Sequence, residues 1–147
     1  MVRLKNRYLV VEVTWKDGKI DDSCTDQLLL QAIRDSVAQN FGDHGLGSSV
    51  ASLQVKYFSP YTGLAIVRCA TAEHEKVITA LTFTSEVKQR PAAVRLLRLS
   101  GTLAAGKEAA LQLSAARLQG AVAAPKLSKQ QLAAAEQLHR QLPSVEL

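Results

Sequence analysis

An α+β fold built on a four-stranded antiparallel sheet is what this chain predicts, on three observations. Segments with a two-residue apolar period alternate with segments of helical period in the order strand, helix, strand, strand, helix, strand. The middle strands are joined by Ser59-Pro60-Tyr61-Thr62-Gly63, where Pro60 fixes φ at the first corner of a turn and Gly63 tolerates positive φ. At 147 residues, 47% hydrophobic and 21% charged, the chain can bury roughly 68–70% of its unfolded surface in one core without a disulfide or metal staple. That element order is the split β-α-β, ferredoxin-like arrangement, with two helices on one face and further helices at the C-terminus. Residues 1–120 read as the main domain, and 121–147 as an Ala/Gln-rich linker with a final helix.

The elements follow in order. From Arg7 to Trp15, Leu9, Val11, Val13 and Trp15 alternate with Tyr8, Val10, Glu12 and Thr14, the pattern of a strand. Lys16 to Lys19 break it. Ser23 and Asp26 stand at capping-box separation before a helix whose stripe is Leu29, Leu30, Ile33, Val37 and Phe41, and which is expected to stop at Gly42, Gly45 and Gly47. These glycines follow a helix instead of opening one, so they are a connection and not a phosphate loop. In the next strand Ala51, Leu53, Val55 and Tyr57 share one side and Ser52, Gln54, Lys56 and Phe58 the other. Gly63 to Cys69 forms its partner. A second helix opens at Thr71 with an acidic first turn and turns Val77, Ile78 and Leu81 inward. Ala93 to Ser100 is the last strand, with Leu97 and Leu99 on one side and Leu96 and Arg98 on the other. Thr102 caps a helix that runs to about Gly120, and after a linker from Ala121 to Pro125, Ser128 and Gln131 form a capping box for a last helix through Gln141. Its Leu132, Leu138 and Leu142 are expected to pack back on the body.

Several function classes are excluded by the same residues. No apolar run approaches the length of a membrane span, and Met1 to Arg7 lack the apolar stretch of a secretory signal, which points to a reducing, intracellular setting. Cys24 and Cys69 then read as packed thiols. His44, His74 and His139 lie in separate segments without a Cys or carboxylate at metal-ligand or catalytic spacing, so no catalytic residue, metal site or protein-bound cofactor is expected. Glu73 and Glu75 are explained by the helix dipole. The chain is not an enzyme on its own.

The basic residues are better organised. Net charge is +5 with a pI near 9.4, which favours a polyanionic partner. Arg3, Lys5 and Arg7 alternate on the lead-in to the first strand and so point one way. Lys56, Arg68 and Arg98 fall on the sheet side that the first two helices leave uncovered, where Tyr8 and Phe58 are also expected. Such a set neutralises phosphates with an affinity that falls steeply with salt. The aromatic-rich strands of single-strand RNA readers are missing, so backbone charge and shape carry the reading. Leu64, Ile66 and Leu96 are expected as an apolar patch on the same open side, for a protein neighbour or for the terminal helix folding back.

Met1-Val2-Arg3-Leu4-Lys5-Asn6-Arg7-Tyr8-Leu9, Tyr61-Thr62-Gly63 with the following Arg68-Cys69, and Gly101-Thr102 before a helix together resemble the Pop-five family of ribonuclease P and ribonuclease MRP protein subunits. The likeness covers roughly residues 1 to 118. It implies a ferredoxin-like or RRM-like, non-catalytic subunit that supports a noncoding catalytic RNA in maturing the 5′ ends of precursor tRNA and, in MRP, in processing precursor rRNA. Metal ions are then expected on the RNA alone. Implied partners are a TIM-barrel-like subunit and a smaller relative of the same fold, in the nucleus and nucleolus. By the same likeness Arg3, Lys5 and Arg7 contact RNA phosphates, Arg68 is a second contact, and Tyr61 to Gly63 shape the hairpin. Ala104, Ala105 and Gly106 replace the basic residue and cysteine of some relatives, so RNA contact is not carried over to that helix start. The alternative from another class is a small-molecule-binding regulatory module of ferredoxin-like fold.

Overall fold

The computed structural model describes residues 5–123 and 127–146. Its sheet has five strands in the order β2-β3-β1-β5-β4, namely β1 Asn6–Trp15, β2 Gln54–Phe58, β3 Leu64–Ala70, β4 Glu86–Val87 and β5 Arg90–Ser100. All neighbours are antiparallel. The helices are α1 Asp26–Val50, α2 His74–Phe83, α3 Leu103–Ala123 and α4 Lys129–Gln141. Four strands were expected. The fifth, β4, is a two-residue strand that turns directly into β5 through Lys88 and Gln89, whose φ values are 55° and 61°.

One face of the sheet is filled as the alternation predicts. Leu9, Val11, Val13 and Trp15 of β1 join Ala65, Val67 and Cys69 of β3 under the buried stripe of α1, Leu29, Ile33 and Val37, and under Val77 and Leu81 of α2. Thr25, not Ser23, caps α1, its Oγ1 accepting from the Leu28 N–H at 3.3 Å. Ser23 instead donates to Asp21 at 2.5 Å. The glycines do not end α1. Gly42 adopts φ 71° and ψ −174°, a kink after which the helix resumes to Val50.

The opposite face is not open. α3 lies across β1, β3 and β5, and Tyr8, Val10, Tyr57 and Ile66 are buried beneath Ala109, Ala110 and Leu142. α4 packs on α3, with His139 Nδ1 2.8 Å from the buried Ser114 Oγ. The Ser128–Gln131 capping box forms as expected. Helical structure continues through Ala121 to Ala123, and residues 124 and 125 of the expected linker lie outside the described residues. The result is a sheet clad on both faces, and burial of each aliphatic side chain on the second face contributes about 1.5–3 kcal/mol.

The β2–β3 turn closes as read. Gly63 has φ 71°, its N–H donates to Ser59 O at 2.9 Å, and its carbonyl accepts from Val13 N at 2.7 Å. A Cβ at Gly63 would stand 2.7 Å from Val13 O, so backbone conformation and space both require glycine here. Cys24 and Cys69 are buried and free. Burial pushes both thiols up to about 11, which leaves them inert.

Candidate nucleic-acid interface

The antiparallel registers decide which residues meet. Asn6 lies opposite Ala70, Tyr8 opposite both Arg68 and Ser100, and Gln54 opposite Arg68. The start of β1, the start of β2, the end of β3 and the end of β5 therefore share one end of the sheet. The 3-10 turn Thr71–Glu73 leading into α2 follows directly from β3, and Thr102 follows β5 and caps α3, its Oγ1 accepting from Ala105 N at 3.2 Å. Two helix starts, each carrying partial positive charge, thus join Lys5, Arg7, Arg68 and Arg98 at this end.

These cations are not neutralised by carboxylates, and the Arg68 side chain is tethered. The Lys5 carbonyl accepts from Thr71 N at 2.8 Å, which fixes the lead-in. Arg7 Nη1 lies 3.1 Å from the position a Cβ on Gly101 would take, at the mouth of α3. Arg68 Nε donates to Ser52 O at 3.2 Å. Lys56 sits at a bulge in β2 next to Arg68; burial first, and then the Arg68 charge, lower its pKa. A phosphate placed between the two would relieve that repulsion. Among the described residues none of Lys5, Arg7, Lys56, Arg68 and Arg98 is ion-paired. Glu73 and Glu75 open α2 at this same end, and Glu73 takes Lys76 at 3.1 Å, so the clearer approach for an anion is from the α3 side.

From the middle of β1 to the other end of the sheet, arginines are paired with carboxylates. Glu12 binds Arg117 and, at 2.7 Å, Arg95. Arg90 binds Asp17 at 2.5 Å and Asp21 at 3.5 Å, and its guanidinium lies 4.5 Å over the Trp15 ring. The Lys19 N–H, and then Arg90, hold the Asp17 carboxyl below its usual range; the Ser23 hydroxyl does the same for Asp21. Along the strands Arg7, Arg68 and Arg98 are unpaired toward one end, while Arg95, Arg117 and Arg90 are paired from mid-sheet to the other, where Lys16, Lys19 and Lys88 also carry no ion pair among the described residues.

The residues expected at the site are distributed as follows. Lys5 immediately precedes β1 and Arg7 lies on the face of α1 and α2, opposite Cys69, while Arg68 and Arg98 stand on the face of α3, opposite Tyr8 and Val10. The two groups flank one sheet end from opposite faces instead of sharing an open face. Arg3 lies outside the described residues. Phe58 faces α1 and α2, because the bulge between Val55 and Tyr57 shifts the alternation by one. The expected apolar patch is not exposed: Ile66 is covered by α3 and by Leu138 and Leu142 of the C-terminal segment folding back, one of the two roles expected for it. Leu64 and Ile66 are 0% exposed, and Leu96, beyond a bulge in β5, pairs with Val11 and packs toward α1 and α2. The sequence reading found both helix starts but not their convergence on the cations, which depends on strand direction and register.

A sheet end with unpaired cations and two helix starts is a basic patch on an α+β fold. No cluster of His, Cys, Asp and Glu among the described residues could hold a metal. The chain belongs to the Rpp14/Pop5 family, whose model matches residues 7–111. It is 38% identical over 121 residues to the ribonuclease P/MRP protein subunit POP5 of Schizosaccharomyces pombe, spanning 76% of this chain and 87% of the relative. It is 41% identical over 118 residues to the probable ribonuclease P/MRP protein subunit POP5 of Arabidopsis thaliana, spanning 76% and 78%. With the Homo sapiens POP5 subunit it shares 30% over 107 residues, 70% of this chain and 66% of that one. The fold is similar to a chain in the cryo-EM structure of yeast ribonuclease MRP, with TM-score 0.54 and 17% identity over 70% of this chain and 79% of that chain.

Proposed function

We propose that this chain is a non-catalytic protein subunit of a ribonuclease P or ribonuclease MRP ribonucleoprotein, gripping the phosphate backbone of a noncoding catalytic RNA that matures the 5′ ends of precursor tRNA and, in MRP, cuts precursor rRNA. The observation that carries this reading is the set of unpaired cations, Lys5, Arg7, Lys56, Arg68 and Arg98, gathered with the starts of α2 and α3 at one sheet end. Membership in the Rpp14/Pop5 family supports it and leaves the small-molecule sensor without an observation in its favour. The four long strands in the order β2-β3-β1-β5, with α1 and α2 on one face, support a ferredoxin-like, RRM-like core to which β4 and α3 are added. Bond cleavage belongs to the RNA and its metal ions, and the protein binds no cofactor. Its partners are the other subunits, including a TIM-barrel-like protein and a smaller relative, in the nucleus and nucleolus.

The test is quantitative. Replacing Lys5, Arg7 and Arg98 together with Ala should weaken binding to the RNA that co-purifies with the assembly and reduce the slope of log affinity against log salt by about 2 to 3, since each phosphate contact contributes about 0.7 to 0.9. Arg90→Ala, which removes a paired cation at the far end, should leave the slope unchanged. Equal slopes for the triple variant and the parent, with the fold intact by circular dichroism, would remove this sheet end as the RNA contact.

A further inference from the structure

At the end of the sheet where Arg90 pairs with Asp17 and Asp21, a second surface has no role in the RNA reading. Phe83 ends α2 with 64% of its surface exposed, the most exposed large apolar side chain among the described residues. It stands at a groove of about 350 Å³ between α1 and the β4–β5 hairpin, lined by Leu28, Ala32, Asp35, Glu86 and Gln89 among others. Beneath the groove the buried Ser36 Oγ donates to Ala80 O at 2.5 Å and ties α1 to α2. The rim of the groove is acidic. Asp35 is exposed and held upright by Gln31 Nε2 at 2.8 Å, Glu86 is exposed, and neither is ion-paired among the described residues. Lys88, the cation on the rim, turns its Nζ to Ser23 Oγ at 2.9 Å, where its charge acts on Asp21.

We infer that this groove docks a segment of another protein subunit, one apolar side chain set against Phe83 and flanked by Lys or Arg that meet Asp35 and Glu86. An exposed aromatic beside a pocket is the usual centre of a protein contact, and the carboxylates repel phosphate while steering a basic partner. The inference rests on the reading of the chain as one member of an assembly. It places the protein neighbour at the end of the sheet opposite the RNA, so both can be bound at once.

A photo-crosslinker settles it: Phe83→p-benzoylphenylalanine in the full chain, assembled into the purified particle and irradiated, with Arg98→p-benzoylphenylalanine as the control at the cationic end. Position 83 should crosslink to a protein peptide with Lys or Arg next to an apolar residue, and combining it with Asp35→Lys and Glu86→Lys should cut the yield at least about tenfold. Crosslinking to RNA, to a second copy of this chain or to nothing overturns the inference, as does an undiminished yield in the charge-reversed protein. The two readings fail separately. A protein crosslink at position 83 without an RNA crosslink at position 98 removes only the RNA contact, and the reverse removes only the groove.

Discussion

Lys88 and Gln89 turn the chain with φ of 55° and 61°, two consecutive non-glycine residues in the left-handed region, where each costs about 1–2 kcal/mol. Two such angles are the signature of the type I′ turn that right-twisted hairpins favour, and the usual residues there are Asn and Gly. The turn persists because what it joins is well anchored: Val87 is fully buried, and Ala92 N donates to Ser85 O at 3.0 Å. Gln89→Gly should therefore raise the unfolding free energy in urea by about 1 kcal/mol, the relief of strain exceeding the extra entropy of a glycine in the unfolded chain. A loss of stability would show that the Gln89 side chain, and not its backbone angle, is what the hairpin depends on. The same substitution explains why the fifth strand was illegible. Lys-Gln carries none of the residue chemistry by which a tight turn is read from sequence.

Among the elements, α3 is the one whose placement needs a specific hold. Glu12 in the middle of β1 supplies it: its side chain is 14% exposed and takes Arg117 of α3, 33% exposed, while Arg117 Nη1 also donates to the Thr62 carbonyl at 2.6 Å. Arg95 reaches the same carboxylate from β5 but is 70% exposed. Solvent decides their weight. Arg117→Ala should cost about 2 kcal/mol in urea denaturation, the range of a sheltered charged hydrogen bond, while Arg95→Ala should cost under about 0.5 kcal/mol. Equal losses would mean that Glu12 acts through its own desolvation and not by latching the helix. Element identity was largely readable from local rules, as with the Ser128–Gln131 box of α4 and the stripe of α1. Facing was not. Bulges between Val10 and Val11 against β5 and between Val55 and Tyr57 against β3 each shift the two-residue period by one, and no residue type marks them. Phe58 and Leu96 were assigned to the wrong face for that reason alone. Gly42 was read as an end of α1 because a glycine kink and a glycine stop look alike until the following turn finds something to pack on.

At the scale of the whole molecule, the cationic residues were legible as residues, but their meeting point was fixed by which strand ends coincide, and the supposed open face turned out to be the floor of a second core. That second core makes α3, Leu138 and Leu142 structural in this fold. Val10 and Ile66 are fully buried under α3, together with Tyr8 and Tyr57, whose phenol burial pushes up to about 12. Uncovering the two aliphatic side chains alone forfeits about 3–6 kcal/mol, which is comparable to the whole stability of a small domain, about 5–15 kcal/mol. A chain ended at Ser100 keeps every strand, α1, α2 and most of the basic sheet end, so by sequence it still carries the cations. It should nonetheless self-associate through the bared face, bind the dye ANS and lose a single cooperative melting transition, as read by sedimentation and near-UV circular dichroism. A monomeric, cooperatively melting product with undiminished RNA affinity would instead make α3 and α4 a separable cover, and the cationic end self-sufficient without the helix start that completes it here.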